Sequence, residues 1–311
     1  MVRYARNTGA IVWQRRLSAV ANSDDACRAM VVDAAGNILV AGVRYDSSGY
    51  SDVVMAKVAG DSGTLLWTQT FSGSAGEDDD VSSVAFDAQN NLILAGSTTL
   101  ANGTVQQLVM KRATATGAAL WSVQSSVSNE QRPVDVVVDQ QGRVLVGAVE
   151  LDDLYQGDMI ITQYNGSTGS QLWRTSIDGA AQGDDVLTDI AVNASNDVLV
   201  CGAMEMSNGV RRAVIARCAA SSGAVAWQQL QSTVVSSSES QAKSLALDAQ
   251  GDIAVVGRIS SQSATGFDWW AAKCSGSSGQ LIWEQRLIAA TDDDAALSLI
   301  HISEPTRPRL I

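Results

Sequence analysis

Histidine is almost missing from this chain of 311 residues, which holds one, His301, near its C-terminus. A Ser-His-Asp or Cys-His catalytic arrangement has nothing to draw on in the body of the sequence. Cysteine is sparse too: Cys27, Cys201, Cys218 and Cys274 form no CxxC pair. With one histidine to complete a set, they suit buried free thiols better than a zinc site. Positive charge is scarce, 21 Lys and Arg against 33 Asp and Glu, giving a net charge of −12. That balance disfavours nucleic acid, whose phosphates call for a basic surface. No apolar run approaches the ~18 residues of a membrane-spanning helix, so no membrane insertion is expected. The opening MVRYARNTGAIVW also lacks the apolar stretch and cleavage site of a signal peptide. What the chain does have is 46% hydrophobic residues against 17% charged, enough for a sizeable core.

The end departs from the rest. Leu297–Ile311, LSLIHISEPTRPRLI, holds two of the three prolines and the histidine. Its run to Arg307 resembles the translation of a sequencing-adapter end. The expectation is a cloning or assembly scar over 297–311 and a native portion over 1–296.

Within that portion tryptophan recurs at Trp13, Trp67, Trp121, Trp173, Trp227 and Trp283, spaced by 54, 54, 52, 54 and 56 residues. Such a period signals a propeller or solenoid. Each unit reads alike. An acidic loop leads into an apolar strand such as RAMVVD or SSVAFD, and a tight turn follows, such as DAAGN or DAQNN. Asp33, Asp87, Asp139, Asn193 and Asp248 suit the first position of that turn, where a short acceptor bonds nearby backbone N–H groups. Gly36, Gly142 and Gly251 supply positive φ. A second strand (NILVAG, NLILAG), a variable loop, a third strand (DVVMAKV, DMIITQY) and a Gly-containing turn precede the strand that carries the tryptophan. Helical periodicity is absent. Nearly continuous apolar strands imply that both faces of each sheet are covered.

These features predict an all-β fold, a β-propeller of four-stranded antiparallel blades. Complete blades are expected at roughly 23–71, 77–125, 129–177, 183–231 and 238–287, with a partial blade ahead of them and truncation at both ends. The tryptophan is expected to wedge between adjacent blades with its N–H on a backbone acceptor, and the glycine four residues earlier to turn the chain closely.

The block SDDACRAMVVDAAGNILVAGVRYDSSGYSDVVMAKVAGDSGTLLWTQTF is similar to the bacterial β-propeller repeat (SBBP-like) family, with its Asp-x-x-Gly-Asn turn and third-strand Lys. The Thr/Ser-Gly-x-x-x-Trp element resembles the tryptophan-docking motif of quinoprotein dehydrogenase propellers. The first resemblance implies an exported or cell-surface bacterial protein, often attached to other domains. The third unit departs from the pattern, with VGA for AGx and Gln163 in the basic column.

That column is Arg3, Lys57, Lys111, Arg217 and Lys273; a second, five residues upstream, is Asp52, Gln106, Asp158, Arg212 and Asp268. Alternation puts the two on opposite strand faces, so the basic groups are expected to snorkel to neighbouring carboxylates. Acidic runs precede the first strands at Asp24-Asp25, Asp78-Asp79-Asp80, Asp184-Asp185 and Asp292-Asp293-Asp294, with Glu130 and Glu239 in the same region elsewhere. They are either solvated strand entries or ligands for Ca²⁺, which takes six to eight oxygen ligands, although no EF-hand or nonapeptide repeat is present. Trp269-Trp270 either packs a strand start or offers an aromatic anchor to a protein or glycan ligand. The expectation is a non-enzymatic module of a larger exported protein, acting in adhesion, scaffolding or ligand binding through its loops. The alternative is an enzyme: a polysaccharide-active hydrolase or lyase, or a quinoprotein-like dehydrogenase, although the adjacent cysteine pair of many such dehydrogenases is missing.

Overall fold

The structure, a computed structural model, describes residues 1–17, 25–154, 156–179, 183–231, 239–260 and 266–287. Asp24, Asp292–Asp294 and the tail from Leu297 lie outside them. All elements of the described residues are strands, and the fold is of β-propeller type. The first sheet pairs β1 (Val2–Tyr4) with β2 (Ile11–Gln14). Five antiparallel four-stranded sheets follow, each in simple up-and-down order. The second contains β3 (Asp25–Val32), β4 (Ile38–Tyr45), β5 (Ser51–Val58) and β6 (Leu65–Phe71). The third contains β7 (Asp79–Phe86), β8 (Leu92–Thr99), β9 (Val105–Arg112) and β10 (Ala119–Gln124). The fourth contains β11 (Glu130–Val138), β12 (Val144–Leu151), β13 (Gly157–Tyr164) and β14 (Gln171–Ile177). The fifth contains β15 (Val186–Val192), β16 (Val198–Glu205), β17 (Arg211–Cys218) and β18 (Val225–Leu230). The sixth contains β19 (Ser240–Leu247), β20 (Ile253–Ser260), β21 (Phe267–Cys274) and β22 (Leu281–Leu287). The chain divides into two compact units, Met1–Ile177 and Asp178–Ile311.

The apolar runs are explained by stacking. In the first unit Leu39, Ala41, Val53 and Met55 of the second sheet pack on Leu92, Leu94, Leu108 and Met110 of the third. Ile93, Ala95 and Val109, on the third sheet's other face, pack on Val136, Val144 and Val146 of the fourth. In the second unit Leu199, Cys201 and Ile215 meet Ile253, Val255 and Trp270. The central strands of the third sheet are thus covered on both faces, and each fully buried Leu, Ile or Met contributes about 1.5–3 kcal/mol.

Every first strand carries a bulge at the same place, at Arg28, Ser82, Val134, Thr188 and Lys243. The bulge bends the strand toward its partner, and this explains the glycine ending NILVAG. A Cβ on Gly42 would lie 2.0 Å from the Ala26 carbonyl oxygen, and one on Gly96 would lie 2.1 Å from that of Asp80. The fourth sheet differs because Ala148 holds this position, opposite Pro133. The departure seen in the third unit is therefore a local change of strand approach.

Candidate functional site

The side chains that recur at fixed register meet at the junction of successive sheets. Each junction begins at the turn between first and second strands. Asp33 accepts hydrogen bonds from the backbone N–H of Ala35 at 3.0 Å and of Asn37 at 2.8 Å, and Gly36 takes φ +79°. Asn90 and Asn196 fill the positive-φ position where glycine is missing.

The basic column reaches this turn. Lys57 Nζ lies 2.9 Å from Asp33 and donates to the Thr114 carbonyl of the next sheet at 3.3 Å. Trp67 Nε1 donates to that same carbonyl at 3.0 Å. Lys111 repeats the arrangement, 2.7 Å from Asp87 and 2.7 Å from the Gly166 oxygen, which also receives Trp121 Nε1 at 3.0 Å. At the first junction Arg3 and Trp13 share the Gly60 carbonyl. In the second unit Arg217 bonds Asp197 and the Gly276 carbonyl, and Lys273 lies 2.7 Å from Asp248. Burial pushes the Asp33 carboxyl up, but the hydrogen bonds from Lys57 and Asn37 outweigh it and hold it at about 2. Asp87 and Asp197 are lowered by the same contest, with Lys111 and Arg217 as the winning partners.

Where the sequence departs from the column, charge is rearranged. The fifth sheet has Asn193 at the turn start, so its carboxylate comes from Asp197, which Arg217 reaches. The fourth has Gln163 in place of the lysine, and Asp139 is paired instead with Arg143, 2.5 Å away at the turn's end.

The indoles lie on glycine. A Cβ on Gly63 would sit 2.8 Å from the Trp13 ring, and Gly117 and Gly169 approach Trp67 and Trp121 in the same way at 2.9 Å. These glycines also take φ between +71° and +73°. The sequence signalled the turn but not the close approach. Trp227 lies against Gly279, although its N–H has no acceptor among the described residues. Trp173 is half-buried and Trp283 is 43% exposed.

The acidic strand entries are built differently from a calcium loop. Asp79 is 0% exposed and accepts from the Gly73 N–H at 2.5 Å; burial raises its pKa against the hydrogen bonds of Thr98 and Gly73. Asp185, also 0% exposed, accepts from the N–H groups of Gly179 and Glu205 at 2.8 and 2.9 Å. Asp78 bonds Ser51, Asp80 pairs with Arg28 at 3.2 Å, and Asp184 pairs with Arg211. Asp25 opens β3. Among the described residues no group of three or more His, Cys, Asp or Glu is placed to hold a metal ion. Asp24, a further calcium candidate, lies outside the described residues. The described carboxylates pin the entering chain, and a cation would have to displace amide and arginine partners already in contact.

Trp269 and Trp270 separate by strand alternation. Trp270 is 2% exposed, inside the second unit's core, so it offers nothing to a ligand; Trp269 is 45% exposed. Cys201, Cys218 and Cys274 are buried and free, while Cys27 is exposed. Burial raises the Cys201 and Cys274 thiols and pushes Cys218 up to about 12, so all three are inert.

Residues 101–306 match the family described as outer membrane protein assembly factor BamB. The chain belongs to that family. No individual curated protein matches it. Among solved structures it is similar to a quinohemoprotein alcohol dehydrogenase from Comamonas testosteroni, at 13% identity and TM-score 0.54, over 86% of this chain and 44% of that one. It is similar to a europium-containing methanol dehydrogenase at 13% identity and TM-score 0.52, over 86% and 53%. A protein of unknown function from Dyadobacter fermentans matches at 11% identity and TM-score 0.51, over 86% and 83%. The chain spans about half the length of the two dehydrogenases. At these identities the likeness is one of fold. The comparisons support a propeller of this family; the bacterial repeat family, the tryptophan-docking element and cell-surface adhesion draw no support from them. No helix of the described residues is long and apolar enough to cross a membrane.

Proposed function

We propose that this chain is a protein-binding propeller module of the bacterial envelope, a rigid scaffold in the assembly of outer-membrane proteins. The observation that carries this reading is that its recurring charged side chains are spent inside the fold. Lys57, Lys111, Arg217 and Lys273 are all held in ion pairs at the turns between strands. The family's description supplies the setting. Recognition then falls to the loops between second and third strands, which differ from unit to unit and expose Tyr50 and Leu154.

The reading is tested by exporting the chain in bacteria that lack their own assembly factor of this family. Restored levels of folded outer-membrane barrel proteins support it, and unchanged levels oppose it. A second reading, a quinoprotein-like dehydrogenase, is favoured by the solved structures it is similar to. At the strand entries a metal-assisted cofactor would have to compete with the backbone amides that Asp79 and Asp185 already accept from. Saturable binding of a quinone cofactor with calcium, together with dye reduction by an alcohol, would favour that second reading.

A further inference from the structure

A buried polar pair joins the third and fourth sheets. Gln107 of β9, 1% exposed, donates from Nε2 to the Tyr164 hydroxyl of β13 at 2.6 Å, and Tyr164 sits among Val109, Val144 and Val146 where the two faces pack. Gln107 lies four residues before the basic column. In the second, fourth and fifth sheets that position holds Val53, Met159 and Ala213, all buried and apolar. Tyr164 lies one residue after the column, where the second, fifth and sixth sheets have the buried Val58, Cys218 and Cys274. The fold therefore does not require a polar group at either place.

The pair is also incompletely satisfied. Gln107 Oε1 has no partner among the described residues, and neither do Gln131 Oε1 and Arg174 Nε of the fourth sheet. Gln131 Nε2 donates to Glu150 at 2.7 Å, and Arg174 pairs with the same carboxylate. Strand alternation sets Glu150 on the face of Val144 and Val146. Burial raises the Tyr164 phenol against the hydrogen bonds of Gln107 and Thr162, so the hydroxyl stays protonated. A partly satisfied buried network is less favourable than an apolar packing of the same shape.

We propose that the Gln107–Tyr164 pair is a registry lock, which selects the third sheet as the neighbour of the fourth and lowers stability in doing so. The chain repeats one kind of sheet, and stacking on the wrong neighbour, or on another copy, is a characteristic failure of such repeats. If the second sheet took the third's place, Val53 would stand opposite Tyr164, and the hydroxyl would lose its amide partner. If another sheet took the fourth's place, Gln107 would meet Val58, Cys218 or Cys274 instead of a phenol. An apolar face tolerates all of these exchanges; a buried amide facing a hydroxyl tolerates none of them.

The test replaces both partners by apolar side chains of similar shape, Gln107→Met and Tyr164→Phe, singly and together in the full chain. Tyr164→Phe strands the Gln107 amide and is expected to lower the folding equilibrium constant about tenfold in urea unfolding. Gln107→Met should lower it less, because Thr162 still bonds the hydroxyl. The double variant is expected to be at least as stable as the unaltered chain. On refolding from urea at high protein concentration, however, it should form about tenfold more oligomer by size-exclusion chromatography, the discrimination that one stranded buried group supplies. A double variant less stable than the unaltered chain would overturn the proposal, and so would one that refolds with the same monomer yield. Oligomers confined to the single variants, in step with their lost stability, would trace misassembly to stability alone and overturn it as well.

Discussion

Lys111 and Trp121 share one acceptor: the Gly166 carbonyl receives the ammonium at 2.7 Å and the indole N–H at 3.0 Å. The same oxygen belongs to a glycine whose Cβ, were it present, would lie 1.7 Å from the Gly142 carbonyl. One turn of the fourth sheet thus receives an ion-paired cation and an aromatic ring from the third. Charge, ring and close backbone approach are coupled at one junction.

Removing the ring tests that coupling. Trp121→Ala is expected to destabilise by about 3 kcal/mol, from lost burial and the cavity left behind. Trp121→Phe, which keeps the ring and drops the N–H, should cost about 1 kcal/mol, because Lys111 still satisfies the carbonyl. Urea unfolding midpoints read both, and equal costs would contradict the shared-acceptor account.

A methyl group at the bulge partner tests the first strands. Gly96→Ala would place a Cβ 2.1 Å from the Asp80 carbonyl oxygen and 2.8 Å from Val81 Cα, so backbone must move. A loss of about 3 kcal/mol is expected. The fourth sheet accommodates Ala148 at this position opposite Pro133. Reversing it, Ala148→Gly, should therefore bring no gain beyond about 0.5 kcal/mol in thermal or urea unfolding.

Charge rearrangement in the fourth sheet predicts a rescue. Arg143→Asn leaves Asp139, whose side chain is 0% exposed, without its cation, and should cost about 2 kcal/mol after allowance for the partly exposed arginine. Adding Gln163→Lys restores the pattern of the second and third sheets and should recover most of the loss. Failure of the pair to recover, measured as a double-variant cycle, would show that the two positions do not exchange roles.

Acid should loosen the ladder. Asp33 has a folded-state pKa of about 2 against an ordinary 3.8, and Asp87, Asp197 and Asp248 are also lowered. A depressed carboxyl contributes stability that is present above its unfolded pKa and lost as pH falls through the folded one. Stability should therefore decline from about pH 3.8 toward about pH 2. Asp79 opposes the trend, since its raised pKa favours the protonated folded state as pH falls. Lys57→Met removes the lowering partner of Asp33 and should flatten the acid limb of urea midpoint against pH; an unchanged limb would exclude this pair as its source.

Calcium offers a check on the strand entries. Because Asp79 and Asp185 are engaged by backbone amides, millimolar calcium should leave Tm unchanged. A rise that saturates with concentration would report a site that binds the folded chain.

How much could be read beforehand is visible at particular residues. Six tryptophans at near-constant spacing, each four residues after a glycine, were enough to expect four-stranded blades, because stacking sheet on sheet within each unit demands the same apolar pattern each time. The turn acceptors Asp33, Asp87 and Asp139 were legible for a similar reason: an Asx turn is local, and its partners lie two and four residues away. Long-range choices were not legible. Asp79 and Asp80 are adjacent in sequence, yet one is buried on a backbone amide and the other faces Arg28 across a sheet junction. Trp269 and Trp270 are also neighbours, and strand alternation sends one outward and the other into the core. Periodicity and turn chemistry are carried by the sequence itself, since they depend on residues close along the chain. Which carbonyl a lysine reaches, which glycine an indole covers and which face stays open depend on groups about fifty residues apart, and only the stacking of sheets brings those together.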